Sequence, residues 1–163
     1  MKTLEILQNP YDNPGHARGI VDVLNSYAGD PMGGGSPLTA RVRESLVGEL
    51  KNRPWAVTLL ALLDRKPAGL LIAMEGFSTF KAQALMNIHD VAVVPGNRGQ
   101  GIGQALFREI ERVARARNCC KLTLEVLTGN RRAMRLYEHL GFRPYVLDPE
   151  HGRAEFWEKP LQH

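Results

Sequence analysis

The sequence has few residues that could cross-link a fold. It contains only two cysteines, Cys119 and Cys120, and they are adjacent. A disulfide between neighbouring residues closes a trivial loop and stabilises little, so we expect two reduced thiols in a reducing compartment. Metal sites of the zinc type need ligand pairs at separate positions, and no such spacing occurs. The sequence therefore predicts a fold without a disulfide or a metal.

Long apolar runs and long runs of one charge are also missing. No apolar stretch is long enough to cross a bilayer, and Met1–Glu5 lacks the basic-then-apolar form of a signal peptide. We therefore expect no membrane association and, by default, a cytoplasmic location. The formal net charge is +4, but basic residues are interleaved with acidic ones. This pattern argues against nucleic acid as a partner and is compatible with a small anionic ligand.

What is present fits one α/β domain spanning residues 1–163. The apolar fraction of 44% is sufficient for a hydrophobic core. Apolar periodicity predicts strands at 4–7, 55–63, 68–75, 84–94, 121–127, 142–147 and 154–159. The same criterion predicts helices at 14–27, 40–51, 102–117 and 131–140, the first, second and fourth of them capped by Asn13, Thr39 and Asn130.

Connection lengths predict how these strands pair. Strands 55–63 and 68–75 are separated by a short turn and should form an antiparallel hairpin. Strands 84–94 and 121–127 are joined through a long helix, which requires parallel pairing. Residues 76–81 are predicted as a loop. The glycine-rich segment 29–37 is also a loop, and it is either a plain connector or a mobile cover whose contacts include Tyr27 and Met32.

One stretch, Asp90–Gln104, has a specific local pattern. A β-branched run ending at Val94 is followed by a glycine turn, Gly96–Gly101, and helical spacing begins at Ile102. The first N–H groups of a helix are free and carry partial positive charge, glycines let a large anion approach, and Arg98 adds a cation. The pattern predicts a cradle for phosphate, favouring a pyrophosphate. The alternative is a glycine turn that merely joins two elements.

Two signatures connect this stretch to a known family. The spacing fits neither a P-loop nor a dinucleotide fingerprint. Arg98–Gly103 instead resembles the Arg/Gln-x-x-Gly-x-Gly/Ala motif of the GNAT superfamily of N-acetyltransferases. Asn130–Phe142 is similar to that family's Asn-x-x-Ala-x-x-x-Tyr-x-x-x-Gly-Phe signature.

The resemblance implies a fold and a set of binding residues. The fold would be a mixed, mostly antiparallel sheet with a central parallel strand pair splayed for acetyl-CoA and helices on both faces. A homodimer is common in such folds. Residues implied to bind acetyl-CoA are Val91, Ala92, Val93, Arg98, Gly99, Gln100, Gly101, Ile102, Gly103, Gln104, Asn130, Ala133 and Tyr137.

The implied chemistry is direct attack of an amine on a thioester. An alkyl amine with a pKa near ~10 must lose a proton first, and the departing thiolate, with a thiol pKa of about 8.5, must gain one. The resemblance gives Tyr137 the general-acid role; the alternative is a core tyrosine on an apolar helix face. The base stays open between Glu125, which resembles the base of protein N-terminal alanine acetyltransferases, His89 and water. Asp90 is expected to be structural.

These inferences predict transfer of an acetyl group from acetyl-CoA to a primary amine of a small molecule, either a polyamine or an amino-acid-like compound. A protein amino terminus or lysine is the alternative acceptor. Two other classes remain open, a CoA-binding module without catalysis and a nucleic-acid binder, of which the second is disfavoured by the scattered charge.

Overall fold

The computed structural model describes residues 2–161, and over these residues the sheet has five strands in chain order. They are β1 (Leu4–Gln8), β2 (Ala56–Leu63), β3 (Lys66–Ser78), β4 (Gln83–Val93) and β5 (Leu122–Leu124). The first four pair antiparallel with their neighbours, whereas β5 runs parallel to β4. The predicted mixed, mostly antiparallel sheet with one parallel pair is confirmed.

Four α-helices cover the two faces of the sheet. They are α1 (Pro14–Ala28), α2 (Ala40–Lys51), α3 (Ile102–Ala116) and α4 (Arg131–His139). The predicted caps form, because the side chain of Asn13 accepts from the amides of Gly15 and His16 and that of Thr39 accepts from the amide of Val42. Short 3₁₀ turns lie at Pro31–Gly33, Pro95–Asn97 and Pro149–His151. No helix within residues 2–161 has both the length and the apolar character needed to span a membrane.

Two apolar cores lie on opposite faces of the sheet. One packs α3 against β2, β3 and β4, and the other packs α1 and α2 against the same strands. Strand β2 is buried along its whole length, as its continuous apolar sequence predicted. Gly69 on β3 allows α3 to approach closely, since a Cβ there would lie 2.7 Å from Cγ2 of Ile102. The first turn of α3 is thereby held next to the end of β4.

The strands predicted at 142–147 and 154–159 are wrong. Apart from the Pro149–His151 turn, residues 142–161 form no helix or strand, and most of their side chains are exposed. Alternation of apolar and polar residues predicts a strand only where an edge is available for pairing. Strand β5 offers only three residues, and Pro144 removes a backbone donor from the first predicted strand.

Three predicted boundaries also differ. Strand β5 was predicted over 121–127 but ends at Leu124, because its ladder with β4 stops at the pair Ile88–Leu124. The next residue of β4, His89, is an extra residue in the β3–β4 register and interrupts regular pairing. Strand β3 extends to Ser78, so the predicted loop 76–81 is shorter. The loop 29–37 contains the 3₁₀ turn Pro31–Gly33.

Candidate functional site

A cleft of about 740 Å³ opens where β4, α3 and α4 meet. It forms because β4 continues to Val93 after its pairing with β5 has ended at Ile88, which leaves a gap in the sheet. On the side away from β3, no strand within residues 2–161 pairs with Val91–Val93. Of the residues predicted to bind acetyl-CoA, all except Gln100 line this cleft. Their binding role stays a prediction, but the structure brings them to one place.

The glycine turn presents free backbone donors to the cleft. Gly99 and Gly101 both have φ of 78°, a left-handed conformation that L side chains rarely adopt. Gly101 is the N-cap of α3 and provides no side-chain acceptor for the first amides of the helix. A Cβ at either glycine would meet no protein atom within 4 Å, so the space beyond the turn is open. The turn therefore fits a large anion such as a diphosphate. The Gln100 side chain, in contrast, accepts a hydrogen bond from Lys2 Nζ at 3.0 Å.

Arginine side chains give the cleft a positive potential. Arg98 lies in the turn, and Arg131, Arg132 and Arg135 line the cleft from α4. Arg131 and Arg132 lie in the first turn of α4, where the helix dipole disfavours cations, so a bound anion would relieve this repulsion. Arg135 was not among the predicted site residues, although its spacing of four from Arg131 places both on one face of α4.

Arg98 also connects the turn to the loop that follows α1. Its Nε donates to the carbonyl of Val93 at 3.2 Å, and its Nη2 donates to Oδ2 of Asp30 at 3.3 Å. Asp30 in turn accepts from the amide of Met32 at 2.9 Å. Two hydrogen bonds lower the pKa of Asp30, the larger effect coming from the Met32 amide and the smaller from Arg98. This carboxylate therefore stays ionised and paired.

Tyr27, at the end of α1, and Met32, in the loop that follows, both line the cleft, so the loop is more than a plain connector. The Tyr27 hydroxyl donates to the carbonyl of Met32 at 3.3 Å. Gly33 is required for this close fold, because a Cβ there would lie 2.0 Å from the carbonyl oxygen of Tyr27. The end of α1 and the loop thus form one wall of the cleft.

Tyr137 reaches the cleft from α4 while its ring remains in the core. The ring packs against Phe107 at a centroid distance of 5.5 Å and against Phe142 at 6.0 Å. Asn130 caps α4 by accepting from the amide of Ala133 at 3.2 Å. Burial raises the pKa of Tyr137 to about 12, with a smaller contribution from the nearby Tyr27. The phenol therefore carries its proton at neutral pH, which a proton donor requires.

The two candidate bases lie outside this cleft lining. His89 is the bulged residue of β4 and is exposed, and Glu125 is exposed just beyond the end of β5. The structure does not bring either side chain together with Tyr137 in the cleft, and their catalytic roles stay predictions. Asp90, in contrast, is half-buried, and burial raises its pKa while the nearby His89 lowers it.

The remaining reactive side chains are elsewhere. Cys119 and Cys120 line a separate cavity between α3 and the start of β5, and burial raises the pKa of the Cys119 thiol. A thiol that holds its proton is a poor nucleophile. Within residues 2–161 no three His, Cys, Asp or Glu side chains cluster as metal ligands would.

Comparison with known proteins identifies the family. The model of the acetyltransferase (GNAT) family matches residues 21–142. Thialysine N-epsilon-acetyltransferase from Bos taurus is 42% identical over 65 residues, which cover 40% of this chain and 38% of that protein. Mycothiol acetyltransferase from Beutenbergia cavernae is 35% identical over 128 residues, which cover 78% of this chain and 41% of that protein. The chain thus matches less than half the length of both relatives.

A solved structure described as a probable acetyltransferase shares the fold. It superimposes with a TM-score of 0.78 at 19% identity and covers 98% of this chain and 99% of that one. The two sequence signatures, the gap between β4 and β5 and the family match agree with one another. The chain belongs to the GNAT family of acetyltransferases.

Proposed function

We propose that this acetyltransferase moves an acetyl group from acetyl-CoA to a primary amine of a small molecule, either a polyamine or an amino-acid-like compound. One observation carries the proposal. The free amides of a glycine turn at the start of α3 open into the same cleft as the protonated hydroxyl of Tyr137. Anion binding and proton donation are thereby available side by side.

Acetyl-CoA would be bound by positively charged groups in one part of the cleft and by backbone groups of β4 in another. Members of the family use acetyl-CoA, whose phosphates suit the turn amides and the arginines from α4. The unpaired side of Val91–Val93 offers main-chain groups to an extended chain, as a strand edge does. These features would position acetyl-CoA in the same way whichever amine is the acceptor.

When bound, acetyl-CoA supplies a thioester as the acyl donor. The amine nitrogen forms a bond to the thioester carbonyl carbon, and the carbon–sulfur bond then breaks. An acceptor that arrives as an ammonium ion loses one proton before it attacks and a second after the new bond has formed; Glu125, His89 and water remain the candidates for the base that takes them. The Tyr137 hydroxyl donates a hydrogen bond to the leaving sulfur, and CoA departs as a thiolate that takes its proton from solvent. No covalent enzyme intermediate is needed, in agreement with the position of Cys119 and Cys120 outside the cleft.

A small acceptor is favoured by the wall that the end of α1 and its loop form. Tyr27, Asp30 and Met32 close that side of the cleft, with the loop fixed through Arg98. A protein amino terminus would have to enter past this wall. The bovine relative is named for acetylating the ε-amine of thialysine, an amino-acid-like compound, and this name supports the same acceptor class.

We propose that the protein is cytoplasmic and forms a homodimer. Two free cysteines suit a reducing compartment. Many exposed large apolar side chains lie after β5, on a part of the chain with no strand of its own: Val126, Leu127, Tyr145, Val146, Leu147, Phe156, Trp157 and Leu161. A second copy could cover them while adding to the open edge of β5. Sedimentation at several protein concentrations tests this proposal.

The central experiment measures acetyl-CoA binding by calorimetry and then acetyl-CoA turnover with a panel of amines. The panel contains diamines, lysine-like amino acids and short peptides with free amino termini. Turnover with the small amines supports the proposal. Turnover only with the peptides favours the alternative acceptor, and binding without any turnover indicates a CoA-binding module. Absence of acetyl-CoA binding contradicts all three.

A further inference from the structure

The bulge in β4 determines which way Asp90 points. Across the β3–β4 ladder, Ile72 pairs with Asp90 and Ala73 pairs with Ile88, so His89 has no partner of its own. Ile88 faces the core under α3, and strict alternation would place Asp90 on that same apolar face. The extra residue instead places Asp90 on the face of Ile72 and Ala92, where α1 packs.

On that face Asp90 lies next to the cleft without a hydrogen-bonding partner. It directly precedes Val91, the first β4 residue of the cleft lining. Within residues 2–161 no group donates a hydrogen bond to its carboxylate. The side chain is half-buried, and burial raises its pKa. A partly desolvated carboxylate with no donor is unfavourable until a cation or donor arrives.

Within residues 2–161 no lysine or arginine forms an ion pair with Asp90. Tyr27, at the end of α1, packs against the apolar cluster that contains Ala92, on the same face of β4 as Asp90, whereas the neighbouring His89 is exposed. Tyr27 and Tyr137 both line the cleft. The other carboxylate of this wall, Asp30, is already paired with Arg98.

We propose that Asp90 is the acceptor-binding carboxylate, which holds the ammonium group of the incoming amine beside Tyr27, so that the enzyme selects amines that are cationic at neutral pH. This inference rests on the proposed function, because it assigns a role within the same reaction. An aliphatic amine is mostly protonated at neutral pH and would pair with the carboxylate before it gives up its proton. An amine that is already neutral would gain little from the same contact.

The test compares ethylamine with trifluoroethylamine, which is similar in size but mostly neutral at neutral pH. Asp90→Asn removes the charge and keeps the shape. We expect a rise in KM of about 10- to 100-fold for ethylamine and of less than about threefold for trifluoroethylamine. The control is Asp22→Asn, which makes the same charge change at an exposed site on α1 and should alter neither value. Asp90→Glu keeps the charge and should retain the preference for ethylamine.

A competition experiment on the unmodified protein tests the role of Asp90 even if Asp90→Asn does not fold. Tetramethylammonium, a cation that cannot be acetylated, should compete with ethylamine, whereas uncharged tert-butanol should not. Equal changes for both amines in Asp90→Asn, or equal inhibition by the two additives, would overturn the role of Asp90. If the protein binds acetyl-CoA and acetylates both amines without preference, only this inference is wrong. If it does not bind acetyl-CoA, the proposed function is wrong as well.

Discussion

Replacing Tyr137 by phenylalanine tests the chemical step with little change to the fold. The ring contacts with Phe107 and Phe142 would remain, and within residues 2–161 the hydroxyl makes no hydrogen bond that would be lost. We therefore expect the free energy of unfolding to change by no more than ~1 kcal/mol. Acetyl-CoA binding should also persist, because the turn amides and the arginines are unaffected.

The size of the kinetic effect follows from the raised pKa of Tyr137. General acids contribute about 10²- to 10⁴-fold, and the effect is largest when the pKa of the acid is near the working pH. Burial raises the pKa of Tyr137 to about 12. Complete transfer of its proton to a thiolate, with a thiol pKa of about 8.5, is therefore uphill by about 5 kcal/mol at 1.36 kcal/mol per unit. Tyr137 must act mainly by hydrogen bonding to the leaving sulfur, so we expect a loss near the lower limit, about 10²-fold in kcat or about 2.7 kcal/mol.

The pH dependence gives a second criterion. A phenol carries its proton below its pKa, so loss of the Tyr137 proton should not limit the rate at any pH below about 12. The wild type and Tyr137→Phe should then show rate profiles of the same shape at different heights, measured as release of free CoA thiol. Tyr145→Phe, at an exposed tyrosine outside the cleft, is the matched control. Unchanged turnover in Tyr137→Phe excludes the acid role, and a loss of acetyl-CoA affinity would show that the residue acts in binding.

Three further substitutions separate the parts of the site. Gly101→Ala forces a side chain into a left-handed conformation at a cost of about 1–2 kcal/mol, and calorimetry should show weaker acetyl-CoA binding; unchanged affinity contradicts the phosphate cradle. Gly33→Ala places a Cβ 2.0 Å from the carbonyl oxygen of Tyr27, so the KM of the acceptor should rise while acetyl-CoA affinity stays constant; an unchanged KM excludes the loop from the acceptor site. Asn130→Ala removes the cap of α4 and should lower the free energy of unfolding by about 1 kcal/mol in urea titrations; no loss means that the cap is dispensable.

The geometry of the proposed cosubstrate half of the site could be predicted because its signals are local in sequence. A strand that runs into a glycine turn and then a helix fixes where free amides will lie, whatever the rest of the chain does. The positive φ of Gly99 and Gly101 and the cap formed by Asn130 follow from residues a few positions apart. The predicted helices were also correct to within about one or two residues, which is the usual uncertainty of helix ends.

The predicted strands after Gly141 failed for the opposite reason. A strand depends on a partner that is distant in sequence, and the alternation of residues in 142–147 and 154–159 contains no information about that partner. The short ladder of β5, three residues long, was not readable from the alternation at 121–127 either. Its length is set by the bulge at His89 on the neighbouring strand.

The proposed acceptor half of the site shares this dependence on distant contacts. Strict alternation of β4 would place Asp90 with Ile88 in the apolar core, and only the bulge places it next to the cleft. Since a bulge needs one strand to carry a residue that the other lacks, it is a property of the pair and cannot be read from β4 alone. Asp90 was therefore expected to be structural, whereas His89 and Glu125, which the sequence favoured as bases, are exposed.

Arg98 connects the two proposed halves of the site. It lies in the glycine turn that would bind the diphosphate, and it also contacts Asp30, which precedes the 3₁₀ turn after α1 and lies in the wall on the acceptor side. A bound diphosphate would compete with Asp30 for this guanidinium, because both offer anionic oxygen to the same donors. We therefore predict that binding of a diphosphate in the turn shifts the position of Tyr27 and Met32. The affinity of an acceptor that binds against this wall should therefore depend on whether the cosubstrate is already bound. Its dissociation constant measured without any CoA compound should differ from the value measured in the presence of CoA.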